Sequence, residues 1–354
     1  MKNTLPWRYH RASREGLIQA FEAPGIPLHR KLGALAITGA SLVGLSLQAD
    51  VLYSDYVTPD VAPKIVLAAG SISCRDAKAM VLVFSGYGIQ NGEITAARIT
   101  PIANERNMCT EWVDNGTNIQ IHAVGERTAE AARANDVDQI IPVGESVGGV
   151  EAALVANDMI SEYGDEFTFP GILLDSTPAG KDTLKWVNRT IAEKVSENCQ
   201  YLKLGDVTMT AISLLTDQNE YRRTHPWEYW SQVYNATRTS SMKLRTGQSC
   251  MAGQDFPQIN KDANIHISYA RTALAYRDPI IDVALAEAKI REKSNGLFEP
   301  IYMQGDGITH ASPWDNWTSY EPYYDSVLSK IDGIIVTRAL DTWYKKAPHI
   351  PQPR

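Results

Sequence analysis

From about residue 64 the chain alternates short apolar runs with longer stretches in which apolar and polar positions mix at helical spacing. Met80–Phe84 (MVLVF) is a continuous apolar run that ends at Ser85-Gly86-Tyr87-Gly88. Cys109–Val113 is the next strand-like segment, Glu126–Asn135 a helix rich in Ala, Glu and Arg, and Gln139–Val143 (QIIPV) another short apolar run. Val147–Tyr163 is a helix stopped by Gly164, and Gly171–Leu174 (GILL) a strand. Ile265–Tyr269, Pro300–Met303 and a C-terminal helix near Asp325–Tyr344 complete the series. Apolar strands without in–out alternation, separated by helices, predict an α/β protein with a parallel sheet covered on both faces. Pro142 lies inside one predicted strand, where a central position needs an N–H.

The stretch Thr177–Asn264 breaks this rhythm. It carries Trp186, Tyr201, Tyr221, Trp227, Tyr229, Trp230 and Tyr234 and is too long for a plain loop. It reads as a mainly helical cap inserted between two strands at 177–264, with the core formed by 50–176 and 265–346 and a tail at 347–354. Upstream, residues 1–31 carry six basic side chains (Lys2, Arg8, Arg11, Arg14, Arg30 and Lys31) and precede an uncharged run, Leu32–Ala49, closed by Asp50. As a helix, those eighteen residues span roughly 27 Å, close to the roughly 30 Å hydrocarbon core of a bilayer. Basic residues on the N-terminal side predict a signal anchor or signal peptide with the rest of the chain outside the cytoplasm. A small-residue helix packed on the soluble domain is the alternative.

Composition narrows the function classes. Apolar residues make up 44% and charged residues 21%, an ordinary globular balance. A net charge of -7 without a basic stripe gives no reason to expect a nucleic-acid partner. The four cysteines, Cys74, Cys109, Cys199 and Cys250, form no CxxC pair and have no His at zinc-finger spacing, so no metal is expected. Pairing neighbours would give Cys74–Cys109 and Cys199–Cys250, one of three connectivities; four unpaired thiols are the other reading. N-x-S/T sequons occur at Asn115, Asn188, Asn235 and Asn316.

The segment with the most chemistry in it is Gly144-Glu145-Ser146-Val147-Gly148-Gly149. It fits G-x-S-x-G between an apolar strand and a helix, where a sharp turn exposes a nucleophilic serine at a helix N-terminus. The alternatives are a capping serine or a phosphate cradle, although the Lys-Ser/Thr of a P-loop is missing. A serine hydroxyl needs a base. Of the histidines after Ser146, His266 falls within a strand, His225 in the cap and His349 in a Pro-rich tail, whereas His310 follows a strand through a glycine-containing loop. Asp278, in a turn before Pro279, is the expected acid, with Asp175 and Asp282 as alternatives. The N–H of Val147, and one from the Ser85–Gly88 loop at Tyr87, are the expected oxyanion donors.

The segments SGYG at 85–88, GESVGG at 144–149, RDPIID at 277–282 and GITH at 307–310 together resemble the α/β-hydrolase superfamily, over about Lys64–Tyr344. The resemblance implies an eight-stranded, mostly parallel sheet, a Ser-acid-His triad, no cofactor, and a cap after the sixth strand. Ser85 stands where the family usually has a His before the oxyanion glycine. The expected activity is hydrolysis of a carboxylic or lipid ester. A peptidase, a thioesterase and a catalytically silent, membrane-anchored binding protein remain as alternatives.

Overall fold

The structure is a computed structural model. It describes residues 61–346 apart from 87–91, 186–241, 260–263, 276–277, 279, 305–307, 309 and 312–316; at 242–243, 245–246, 249 and 344–346 it describes the backbone alone. The chain divides into two compact units, Met1–Val57 and Thr58–Arg354. The first, with the apolar run 32–49, lies outside the described residues. No helix among the described residues is long and apolar enough to cross a membrane.

In the second unit strands and helices alternate: β1 (Lys64–Leu67), β2 (Ala79–Phe84), α1 (Glu93–Asn104), β3 (Met108–Asp114), α2 (Ile121–Ala134), β4 (Ile140–Glu145), α3 (Val147–Tyr163), β5 (Gly171–Asp175), α4 (Met242–Gly253), β6 (His266–Thr272), α5 (Val283–Lys293), β7 (Phe298–Met303) and α6 (Trp317–Lys346). The sheet order is β1-β3-β2-β4-β5-β6-β7. Among the described strands only β1 runs antiparallel to its neighbour. Among the described residues the sheet has seven strands, where the resemblance implied eight.

The apolar runs follow from burial on both faces. In β2, Met80, Leu82 and Phe84 pack with α2, α3 and α5, whereas Ala79, Val81 and Val83 pack with α1 and α6. A strand buried on both sides has no reason to alternate apolar with polar. Pro142 is tolerated in β4 because of where its missing donor would point. Met80 N donates to Gln139 O, and Ile140 N donates to Thr168 O. Residue direction alternates along a strand, so 140 and 142 turn toward β5. There the ladder is broken between the bridge Gln139↔Thr168 and the pair Val143↔Leu173, and no ladder donor is required.

A disulfide joins Cys74 to Cys109, 35 residues apart, tying the connection before β2 to β3. Closing a loop of that length contributes about 3–4 kcal/mol in the chain-entropy account. Cys250 is also disulfide-bonded. The reading of four unpaired thiols is therefore wrong. The flanks of the long insertion belong to the body of the fold: Leu184, Phe256 and Ile259 are buried in the same core as α3 and α5.

The Asn115 sequon is closed on the folded chain, because Asn115 is buried and its amide donates to Glu151 Oε2 at 3.0 Å. The other three sequons lie outside the described residues. Burial pushes the Glu151 carboxyl up to about 7, against 4.5 for the free side chain. The folded chain thus holds this proton after the unfolded chain has released it. The stabilisation is complete below about 4.5 and is lost as pH rises through 7, a difference of about 3 kcal/mol. Glu151→Gln keeps an acceptor for Asn115 and cannot ionise. Urea unfolding between pH 4.5 and 7.5 should show the wild type losing about 3 kcal/mol more than this variant; parallel pH profiles would contradict the assignment.

Candidate active site

β4 delivers the chain to Glu145 in the middle of the sheet, and α3 leaves from Val147. Ser146, between them, has φ 50 and ψ -125. An L residue reaches that region at a cost of about 1–3 kcal/mol, and it persists only where the surroundings impose it. They do so here: Ser146 N donates to Asp175 O at 2.7 Å, and Gly149 N donates to Ser146 O at 3.0 Å. The flanking glycines are required by close approach. A Cβ on Gly144 would lie 2.3 Å from Gly149 Cα, and one on Gly148 would lie 2.3 Å from Ser85 O. The capping alternative fails, because the Ser146 side chain makes no cap hydrogen bond to α3.

That hydroxyl instead meets His310. Ser146 Oγ lies 2.8 Å from His310 Nε2, and His310 Nδ1 lies 2.8 Å from Asp278 Oδ2. His310 follows β7, and Asp278 lies in the connection from β6 to α5. The three side chains come from the carboxyl ends of β4, β6 and β7, the edge where parallel sheets place their ligands. Asp278 is fully buried. Its Oδ1 accepts Ile280 N at 2.8 Å and Ile281 N at 3.0 Å, leaving Oδ2 for the imidazole. Lys185 Nζ donates to the Asp278 carbonyl.

The alternative acids have other partners. Asp282 caps α5, accepting Leu285 N at 3.1 Å. Asp175 is buried at the end of β5, and its Oδ1 accepts from Ser176 Oγ at 3.1 Å. Burial pushes the Asp175 carboxyl up to about 7, opposed by the Ser176 hydrogen bond and by nearby His310. Glu145 pairs with Asp175 across the β4–β5 ladder, and burial holds its carboxyl well above the ordinary range. His266 sits in a strand, as expected, in β6 against Glu299 Oε2 at 3.2 Å. His225 and His349 lie outside the described residues.

Of the expected oxyanion donors, Val147 opens α3, where backbone N–H groups have no acceptor within the helix. Tyr87 lies outside the described residues. The preceding Gly86 is described and stands against the turn at Ser146: a Cβ there would be 3.4 Å from Ser146 Cβ. Gln248, on α4, reaches the same loop, and no motif in the sequence marks it. It is buried, and its Nε2 donates to Gly86 O at 3.1 Å. Among the described residues no group of three His, Cys, Asp or Glu is placed to hold a metal ion.

A mostly parallel sheet, helices on both faces and a serine on a strained strand-to-helix turn define an α/β-hydrolase fold. Solved structures show the same architecture. A hydrolase from Oleispira antarctica superposes with a TM-score of 0.51 over 76% of this chain and 93% of its own, at 12% identity. A candidate non-heme bromoperoxidase from Mycobacterium tuberculosis H37Rv superposes with a TM-score of 0.51 over 77% of this chain and 97% of its own, at 13% identity. No protein-family model and no curated protein sequence matches the chain.

Proposed function

We propose that the protein is a serine hydrolase that cleaves a carboxylic or lipid ester through an acyl-enzyme. The observation that carries this reading is the unbroken relay from Asp278 through His310 to Ser146, with both contacts at 2.8 Å. Asp278, held by two backbone N–H groups, keeps the proton of His310 on Nδ1 and leaves Nε2 as a base toward Ser146. Nε2 takes the hydroxyl proton as Oγ attacks the ester carbonyl. The developing oxyanion is held by the N–H of Val147 and an N–H of the loop after β2. The imidazolium protonates the departing alcohol. Water, activated by the same nitrogen, then releases the acid and restores Ser146.

An ester is preferred over a peptide because the insertion is rich in aromatic residues, which suits an apolar acyl or alcohol group. The Cys74–Cys109 bridge supports an oxidising compartment, consistent with export or anchoring through 32–49. The test is a panel of p-nitrophenyl esters, acyl thioesters and peptide anilides, with a fluorophosphonate as active-site label. Ester turnover and labelling at Ser146 are expected. Preferential cleavage of anilides or thioesters would move the substrate class. A folded protein that neither labels nor turns over any of them would reduce the site to a silent fold.

A further inference from the structure

The chain enters the long insertion along a strip that lies against the acid of the site. Lys185 N donates to Ile280 O at 2.9 Å, Asp282 N donates to Thr183 O at 2.7 Å, and Leu184 bridges Ile281 in antiparallel sense. The strip is rooted on its other side as well. Leu184 is buried in the core, and the buried Thr183 hydroxyl accepts Ala179 N at 3.0 Å and donates to Gly180 O at 2.7 Å. Asp182, just before it, takes Lys289 Nζ of α5 at 2.5 Å. Residues 183–185 thus pair with the backbone of 280–282, the segment whose Ile280 and Ile281 N–H groups orient Asp278 Oδ1.

Lys185 adds a side-chain contact to this strip. Its Nζ donates to the carbonyl of Asp278 itself, 93 positions away in sequence. A surface lysine ordinarily lays its stem along the protein and leaves the ammonium in water. This contact is part-buried, and it gives the ammonium to a backbone carbonyl, a group that any neutral N–H would satisfy. What a neutral donor could not bring is the charge. Asp278 is fully buried, and a buried carboxylate costs free energy unless charge and hydrogen bonds compensate it. Until the hydroxyl proton moves, the His310 base is neutral, so the ring offers a hydrogen bond and no countercharge. Among the described residues, Lys185 is the lysine or arginine that hydrogen-bonds residue 278.

We propose that Lys185 is a positioning residue for Asp278. Its ammonium anchors the main chain of the acid to the start of the insertion. It also places positive charge beside a carboxylate that burial has taken out of water. The carboxylate is then held where it keeps the His310 proton on Nδ1 and leaves Nε2 facing Ser146. The proposal rests on the serine-hydrolase reading above, and it makes the first residues of the insertion part of the relay's support.

The experiment uses the full chain with p-nitrophenyl butyrate and a fluorophosphonate. Lys185→Met keeps the length of the side chain and removes both donor and charge. It should lower kcat about 10–100-fold with KM within about twofold, and slow phosphonylation of Ser146 in proportion. Lys185→Arg, which keeps a cation and donors, should retain at least about a third of wild-type kcat. The deciding readout is a double-mutant cycle with Asp278→Asn. Once the carboxylate is gone, Lys185→Met should slow the reaction by less than about threefold more, whereas a residue that only stabilises the fold costs the same factor in both backgrounds.

Wild-type kcat in folded Lys185→Met, an equal loss in both backgrounds, or a folded Lys185→Arg as slow as Lys185→Met would overturn the assignment. If Lys185→Met does not fold, Lys185→Gln, which loses the charge and shortens the reach, runs the same cycle. Failure of the underlying reading looks different, because then wild type itself would not label.

Discussion

Ser146→Ala is expected to lower kcat for p-nitrophenyl esters by about 10⁵–10⁶-fold and to abolish fluorophosphonate labelling, with the fold intact. Alanine at φ 50 is as strained as serine, and the bonds that impose this conformation are backbone bonds, from Ser146 N to Asp175 O and from Gly149 N to Ser146 O. The variant should therefore melt within a few degrees of wild type. His310→Ala should cost about as much, because the hydroxyl loses the base 2.8 Å away. The double variant should be hardly slower than either single one, since in the proposed mechanism nucleophile and base act as one unit. Steady-state kinetics on the three purified variants checks this. Additive losses, or turnover surviving in Ser146→Ala above the level of contaminating esterase, would remove Ser146 from the mechanism.

The strands that carry the site were legible because burial on both faces writes them as uninterrupted apolar runs. β2 and β4 appear in sequence almost as they appear in the fold, and Val147–Tyr163 is the same helix in both. The Gly144 and Gly148 contacts show why the strand-to-helix turn is legible as well: two backbones approach too closely for any side chain, so composition records geometry. The contacts of His310 with Ser146 and Asp278 follow from chain order, because His310 comes after β7 and Asp278 before α5.

Other parts were hidden for physical reasons. α1 contains Pro101, and α6 starts at Trp317, ahead of Pro322. Proline reads as a break, although it can be accommodated near a helix end or with a bend. β1 is a four-residue edge strand with an exposed Leu67 and a mixed burial pattern, too short to show a period. The tract 177–264 reads as one aromatic-rich body, and nothing in its sequence marks which flanking residues join the core. Leu184, Phe256 and Ile259 are in fact rooted in the core. Gln248 carries no signal at all: nothing in a lone polar residue on a helical stripe points to its hydrogen bond with a carbonyl 162 positions away.

Asp278→Asn is expected to lower kcat/KM about 10⁴-fold near neutral pH, whereas Asp175→Asn should change it less than about tenfold. The difference follows from the hydrogen bonds each carboxylate holds. Oδ1 of residue 278 accepts two backbone N–H groups, from Ile280 and Ile281. An asparagine there must keep its oxygen toward those donors, since turning the amide over would set its NH₂ against them. The NH₂ then faces His310 Nδ1, which must become an acceptor. The ring proton moves to Nε2, opposite Ser146, where a base is needed. The imidazolium formed in the transition state also loses the carboxylate 2.8 Å away. Asp175 is buried nearby but bonds Ser176. Because burial raises its carboxyl to about 7, asparagine imitates the protonated form that predominates at pH 6, and there the variant should match wild type most closely. Rates measured at pH 6 and pH 8 for both variants would sort the two carboxylates. A severe loss in Asp175→Asn with a mild one in Asp278→Asn would transfer the acid role to β5.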